Sequence, residues 1–140
     1  MTDYMRKSTN DSFCEQQKAM RAQMKERARE RLVDEFCELL SHSESEHLKW
    51  KQAAIDLMEG LYMVWMSQRV TNGEGSPASF RELVARGCTI LHMHIPANPH
   101  ACVYKASLRR GIRRAPFFDR YLLQMERNPA GCILSRYVGK

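Results

Sequence analysis

The chain has 140 residues, enough for one ordinary domain with a modest core, and it carries 22 Lys/Arg against 16 Asp/Glu for a formal net charge of +6. Five cysteines, odd in number and without a CxxC pair, point to reduced thiols in a cytoplasmic protein and away from a disulfide framework or a Cys-rich metal site. The opening MTDYMRKSTNDS lacks the apolar core of a signal peptide, and the longest mostly apolar run, Leu57 to Met66, is interrupted by Glu59 and too short to cross a bilayer.

The polar residues 1–10 read as a disordered N-terminus. Asp11 or Ser12 can cap a helix, and from Phe13 through Met20, Met24, Ala28, Leu32, Phe36 and Leu40 apolar residues recur mainly every four positions, ending near Ser41. Residues 11–44 are therefore an amphipathic helix, either packed on the core or, through residues 13–40, serving as an arm for a homodimer. Its outer face mixes signs, as a solvated helix surface does.

The segment HSESE breaks the pattern, and Ser43 or Ser45 can cap a second helix from about Glu46 to Arg69. Its later part, Ala54 to Met66, is apolar nearly all round and belongs in the core, with Trp50 and Trp65 as anchors. Asn72-Gly73, Gly75 and Pro77 mark a turn, and Ser79-Phe80-Arg81-Glu82 has capping-box spacing at the head of a third helix that ends at Gly87 or continues through Leu91. After Pro96-Ala97-Asn98-Pro99, a fourth helix is expected from about His100 to Arg114, with Tyr104, Leu108 and Ile112 on its buried face. Pro116 then opens a final helix through about Glu126, and residues 129–140 are a tail without a predicted place. The whole reads as an all-α fold, a compact domain of four to five helices led by a long amphipathic one.

Charge is segregated. Residues 1–47 hold eight Lys/Arg against ten Asp/Glu, whereas residues 48–140 hold fourteen against six. The densest cluster is Lys105, Arg109, Arg110, Arg113, Arg114 and Arg120, opposed locally only by Asp119. Such a cluster on a helix is the footprint of a phosphate-backbone reader, and guanidinium forks also suit guanine edges; a merely solvated basic face gives the same charge pattern. Arg113 or Arg120 can alternatively pair with Asp119 and organise the helix junction.

Other chemistry is poorly provided for. His92-Met93-His94 diverge on a helix and lack a partner motif, so no metal is expected. Cys102 near His100 could be an activated thiol, but a small buried residue is the commoner role for a cysteine. With no G-x-S-x-G, H-E-x-x-H or phosphate-loop sequence, neither an enzyme nor a cofactor is indicated.

Trp50, then Ala54, Leu57, Leu61 and Tyr62, the Asn72-Gly73 turn, Phe80, Tyr104, and Arg113-Arg114 leading into Phe117, Phe118 and Asp119 form an ordered pattern. Between about Leu48 and Glu126 it resembles the C-terminal part of the RteC proteins, regulators encoded on conjugative transposons of Bacteroides-type bacteria. The resemblance implies an RteC-like helical domain over residues 45–128, a winged-helix-like DNA-binding C-terminal part, and transcriptional control of excision genes on a mobile element. It implies DNA as the partner, with Arg109, Arg110, Arg113 and Arg114 as contacts. The chain is shorter than that family, lacking much of its N-terminal portion.

Overall fold

A computed structural model describes residues 2–108 and 115–140, with the side chains of the first helix from Ser12 onward. Helix α1, Thr2–Leu39, is followed by a 3-10 turn at Glu44–Glu46 and the short strand β1, Lys49–Trp50. Helices α2 (Ala54–Ser67), α3 (Phe80–Ile90), α4 (Pro99–Ser107) and α5 (Phe117–Arg127) come next, then a 3-10 turn at Leu134–Arg136 and strand β2, Val138–Gly139. The fold is mainly helical, as composition and periodicity imply.

The 38 residues of α1 make a rod about 57 Å long at 1.5 Å per residue. It starts at Thr2 rather than at an Asp11 or Ser12 cap, because nothing between Thr2 and Leu39 is a proline or glycine that would stop the backbone. Its two halves differ. Ala28, Leu32, Phe36 and Leu40 are buried in the protomer's own core, so they are not free to serve a homodimer, whereas Phe13 and Met20 lie open to solvent.

The second helix begins later than the apolar pattern implies. Ser43 caps the 3-10 turn instead, its hydroxyl accepting from Ser45 N while Glu46 accepts from Ser43 N at 2.9 Å. The backbone then extends so that Lys49 and Trp50 pair antiparallel with Gly139 and Val138. Trp50 Nε1 donates to Ala53 O at 3.0 Å, which fixes the ring at the entrance to α2.

Helix α2 is the centre of the molecule. Leu57, Met58, Leu61 and Val64 are buried, and α1, α3, α4 and α5 all pack against it. At Gly60 the approach of α1 is so close that a Cβ would lie 2.5 Å from Phe36 Cζ. Phe36 is in turn wedged between Trp50 and Phe117, with ring centroids 6.2 and 6.4 Å away.

Asn72 builds the predicted turn, its Oδ1 accepting from Glu74 N at 2.9 Å and Ser76 N at 3.2 Å. Ser79 caps α3, accepting from Glu82 N at 3.1 Å, and the helix runs to Ile90, resolving the ambiguity at Gly87. Beyond it His92 takes a left-handed φ of 54° and its Nε2 bonds Glu44 O at 2.9 Å.

The unplaced tail closes the core. Ile133, Leu134 and Tyr137 are buried, and Tyr137 stands edge-on to Phe117 at 5.2 Å. Two residues one turn apart on α1 hold it: Arg31 donates to the carbonyls of Pro129 (3.1 Å) and Gly131, and Glu35 accepts from Ile133 N at 2.7 Å and Leu134 N at 3.2 Å. Glu35 also accepts from Tyr121 Oη at 2.8 Å. Burial, and then this bond to a carboxylate, push the Tyr121 hydroxyl well above the ordinary phenol range. Among the described residues the only sheet is β1–β2, joining segments far apart in sequence; no hairpin of strands follows α5 as the wing of a winged helix would.

Candidate nucleic-acid interface

Helix α4 carries the first residue of the basic cluster and leads directly into the rest. Asn98 starts it, its Oδ1 accepting from Ala101 N at 3.1 Å, and Pro99 occupies the first helical position, where a missing N–H costs nothing. The His100 ring lies 4.9 Å from Phe80 and 6.4 Å from Trp65, tying the start of the helix to α3 and α2.

Which face is buried differs from the sequence expectation. Ala106 is buried, Cys102 and Val103 pack partly against the core, and these positions at spacings of three and four are the ones that meet α2. Tyr104 and Leu108, expected inside, are 66% and 57% exposed. Small residues win the contact because they let α4 lie close to α2, and the larger side chains are thereby turned outward. Lys105 is exposed in the last turn, where a cation also suits the negative end of the helix.

The six basic residues do not share one fate. Lys105 sits on the open face of α4, one residue round from Tyr104. Arg109, Arg110, Arg113 and Arg114, with Ile112 and the expected continuation of α4 to Arg114, lie outside the described residues. Arg120 is an internal strut: its Nη2 is 2.7 Å from Asp56 Oδ1, its Nη1 donates to Gln52 Oε1 at 3.1 Å, and its guanidinium lies 5.8 Å from the Phe117 ring centroid. Asp56 is fully buried, so this pair binds α5 to α2, and the partner is Asp56 rather than the adjacent Asp119. The guanidinium that the sequence groups with the basic cluster is thus engaged within the chain. Glu59 is also spent internally, accepting from Phe118 N at 2.6 Å at the start of α5, where Pro116 caps without a side-chain bond of its own.

These assignments sharpen the electrostatics. Between Glu82 and Asp119 the sequence contains no carboxylate side chain, while it contains Arg86, Lys105, Arg109, Arg110, Arg113 and Arg114. In sequence, α4 and the segment after it therefore carry positive charge with no acidic residue interspersed.

No group of three or more His, Cys, Asp or Glu residues capable of holding a metal occurs among the described residues. His92 bonds a backbone carbonyl and stacks on His47 at 5.5 Å, a structural use. Burial pushes the thiols of Cys88, Cys37 and Cys132 upward, the opposite of what a nucleophile needs. Among the described residues no helix is long and apolar enough to cross a membrane.

The outward side chains of α4 are the feature that sequence reasoning missed. The signal available was the row Cys102, Val103, Ala106, a small-residue face competing with the larger Tyr104–Leu108 row. No protein family profile matches the chain, and neither characterised proteins nor solved structures give a match.

Proposed function

We propose that this protein is a cytoplasmic DNA-binding regulator that meets phosphate through α4 and the arginine-rich segment following it. The observation carrying this reading is the exposed Lys105 face of α4, which opens a stretch free of carboxylates from residue 83 to residue 118. Contacts are assigned to Lys105, Arg109, Arg110, Arg113 and Arg114, and no cofactor or catalytic step is invoked. The resemblance to the RteC C-terminal region supplies the setting: transcriptional control on a bacterial mobile element.

Binding of a mixed-sequence duplex by the wild type and by the Arg109→Ala, Arg110→Ala, Arg113→Ala, Arg114→Ala variant across a salt series tests it. Each phosphate contact contributes roughly 0.9 to the slope of log affinity against log salt, so removing four should flatten the slope by about 3 to 4. Equal affinity and slope for the two proteins would dismiss the reading.

A second reading, a non-enzymatic adaptor for an acidic protein partner, is favoured by the arm of α1. There Phe13 and Met20 are 59% and 64% exposed while residues 16–25 carry Lys18, Arg21 and Lys25 and no carboxylate. Within residues 13–40 the large apolar side chains open for such pairing or for a homodimer are Phe13 and Met20, since Ala28, Leu32, Phe36 and Leu40 face the chain's own core. Sedimentation that shows assembly dependent on Phe13 and Met20, with no DNA affinity, would select this alternative.

A further inference from the structure

We infer that α4 lies in the major groove of duplex DNA with Tyr104 and Leu108 against thymine methyl groups, an inference that rests on the DNA-binding reading and specifies what its open face recognises. A helix that only gripped phosphates would need cations alone. Here two large apolar side chains are held out in water on the same face, one turn apart, beside Lys105. Their backbone positions are about 6 Å apart along the helix, close to two base-pair steps of roughly 3.4 Å.

Within the major groove the apolar feature on offer is the C5-methyl of thymine, and the groove is wide enough to admit one α-helix. Lys105 is turned by about 100° from Tyr104 around the helix axis, which directs it toward the groove wall where the phosphates lie. The opposite side of α4, Cys102, Val103 and Ala106, is taken up by the core, so the helix has one presentable face and it contains this trio. Charge selects the occupant: the absence of carboxylates from residue 83 to residue 118 suits a polyanion and gives an apolar protein surface no counterpart.

Uracil differs from thymine by that methyl group. The full chain would be titrated by fluorescence anisotropy with three probes of roughly 20 base pairs, two helical turns: an alternating d(AT) duplex, the same duplex with deoxyuridine for thymidine, and a single strand of equal length. The d(AT) duplex should bind more tightly than the uracil duplex by about fourfold for each methyl covered. The Tyr104→Ser, Leu108→Ser variant changes only exposed side chains; it should lose that difference and keep the salt slope set by the cations. Equal binding of the thymine and uracil duplexes by the wild type, or tighter binding of the single strand, overturns the inference while leaving a phosphate-binding protein. Failure to bind any of the three overturns the DNA reading with it.

Discussion

Replacing Arg120 with alanine separates a structural arginine from a DNA-contacting one. The substitution leaves Asp56, fully buried, without the guanidinium that stands 2.7 Å from its carboxylate, and it strips the cation from beside the Phe117 ring. Breaking a buried pair from one side costs about 3–5 kcal/mol. Asp56 lies in the first turn of α2, where the helix end favours a negative charge, so the lower figure, about 3 kcal/mol, is expected. For a chain of this size that corresponds to a fall in Tm of roughly 10 °C. Removing both charges together, as Asp56→Leu with Arg120→Met, should recover most of the loss, because an apolar pair of similar volume needs no desolvation of ions. Thermal and urea unfolding of the wild type, both single variants and the double variant give the coupling energy. DNA binding by the refolded double variant should keep the wild-type salt slope. An Arg120→Ala protein as stable as the wild type but with a flattened slope would refute the internal role and return Arg120 to the interface.

Other consequences follow from the same packing. Gly60→Ala gains about 1 kcal/mol of helix propensity but drives a Cβ to 2.5 Å from a Phe36 ring held between Trp50 and Phe117. A net loss of roughly 1–2 kcal/mol in urea unfolding is expected, and a gain would mean that α1 can move away from α2. Glu35→Gln keeps an acceptor but removes the charge from three hydrogen bonds, so the Ile133 and Leu134 amides should exchange with deuterium faster than in the wild type; unchanged protection would mean the tail is held by burial alone. Stability should decline in alkali. Burial raises Tyr121, Tyr137 and Cys88 above their ordinary values, so the folded chain holds protons that the unfolded chain releases; the stabilisation present below the unfolded values is lost as pH rises above about 8.5 for the thiol and about 10 for the phenols. Tm measured from pH 7 upward should fall, and more shallowly above about pH 10 in Tyr121→Phe; a flat profile would contradict the burial.

Much of this architecture is legible where one stretch of sequence settles its own geometry. The Ser79 cap and the turn at Asn72 form where the sequence places them because each carries its own acceptor, although only the Ser79 half of the Ser79–Glu82 box is made and the left-handed φ falls on Gly75; the break before α4 also forms, with the helix opening at Pro99. The core helix is likewise readable, since Leu57, Met58, Leu61 and Val64 leave no polar face to expose. Legibility fails where two distant segments decide together. Trp50 belongs to a strand because Val138 pairs with it, and the tail is buried because Arg31 and Glu35 on α1 supply its polar partners. Arg120 has Asp119 beside it in sequence, yet the turn of α5 aims it at Asp56 on another helix. The orientation of α4 is set the same way: a four-residue apolar period points Tyr104 and Leu108 inward, but close packing on α2 favours the smaller Cys102, Val103 and Ala106.

The proposed meeting of DNA with α4 and the basic segment after it is open to direct measurement. At 16.3 kDa the chain is well suited to an amide-resolved NMR titration with a short duplex at moderate salt. The largest shifts should fall on residues 101–114, with Asp56 and Arg120 undisturbed. Shifts confined to the arm at residues 12–27, or a titration that leaves every amide in place, would contradict it.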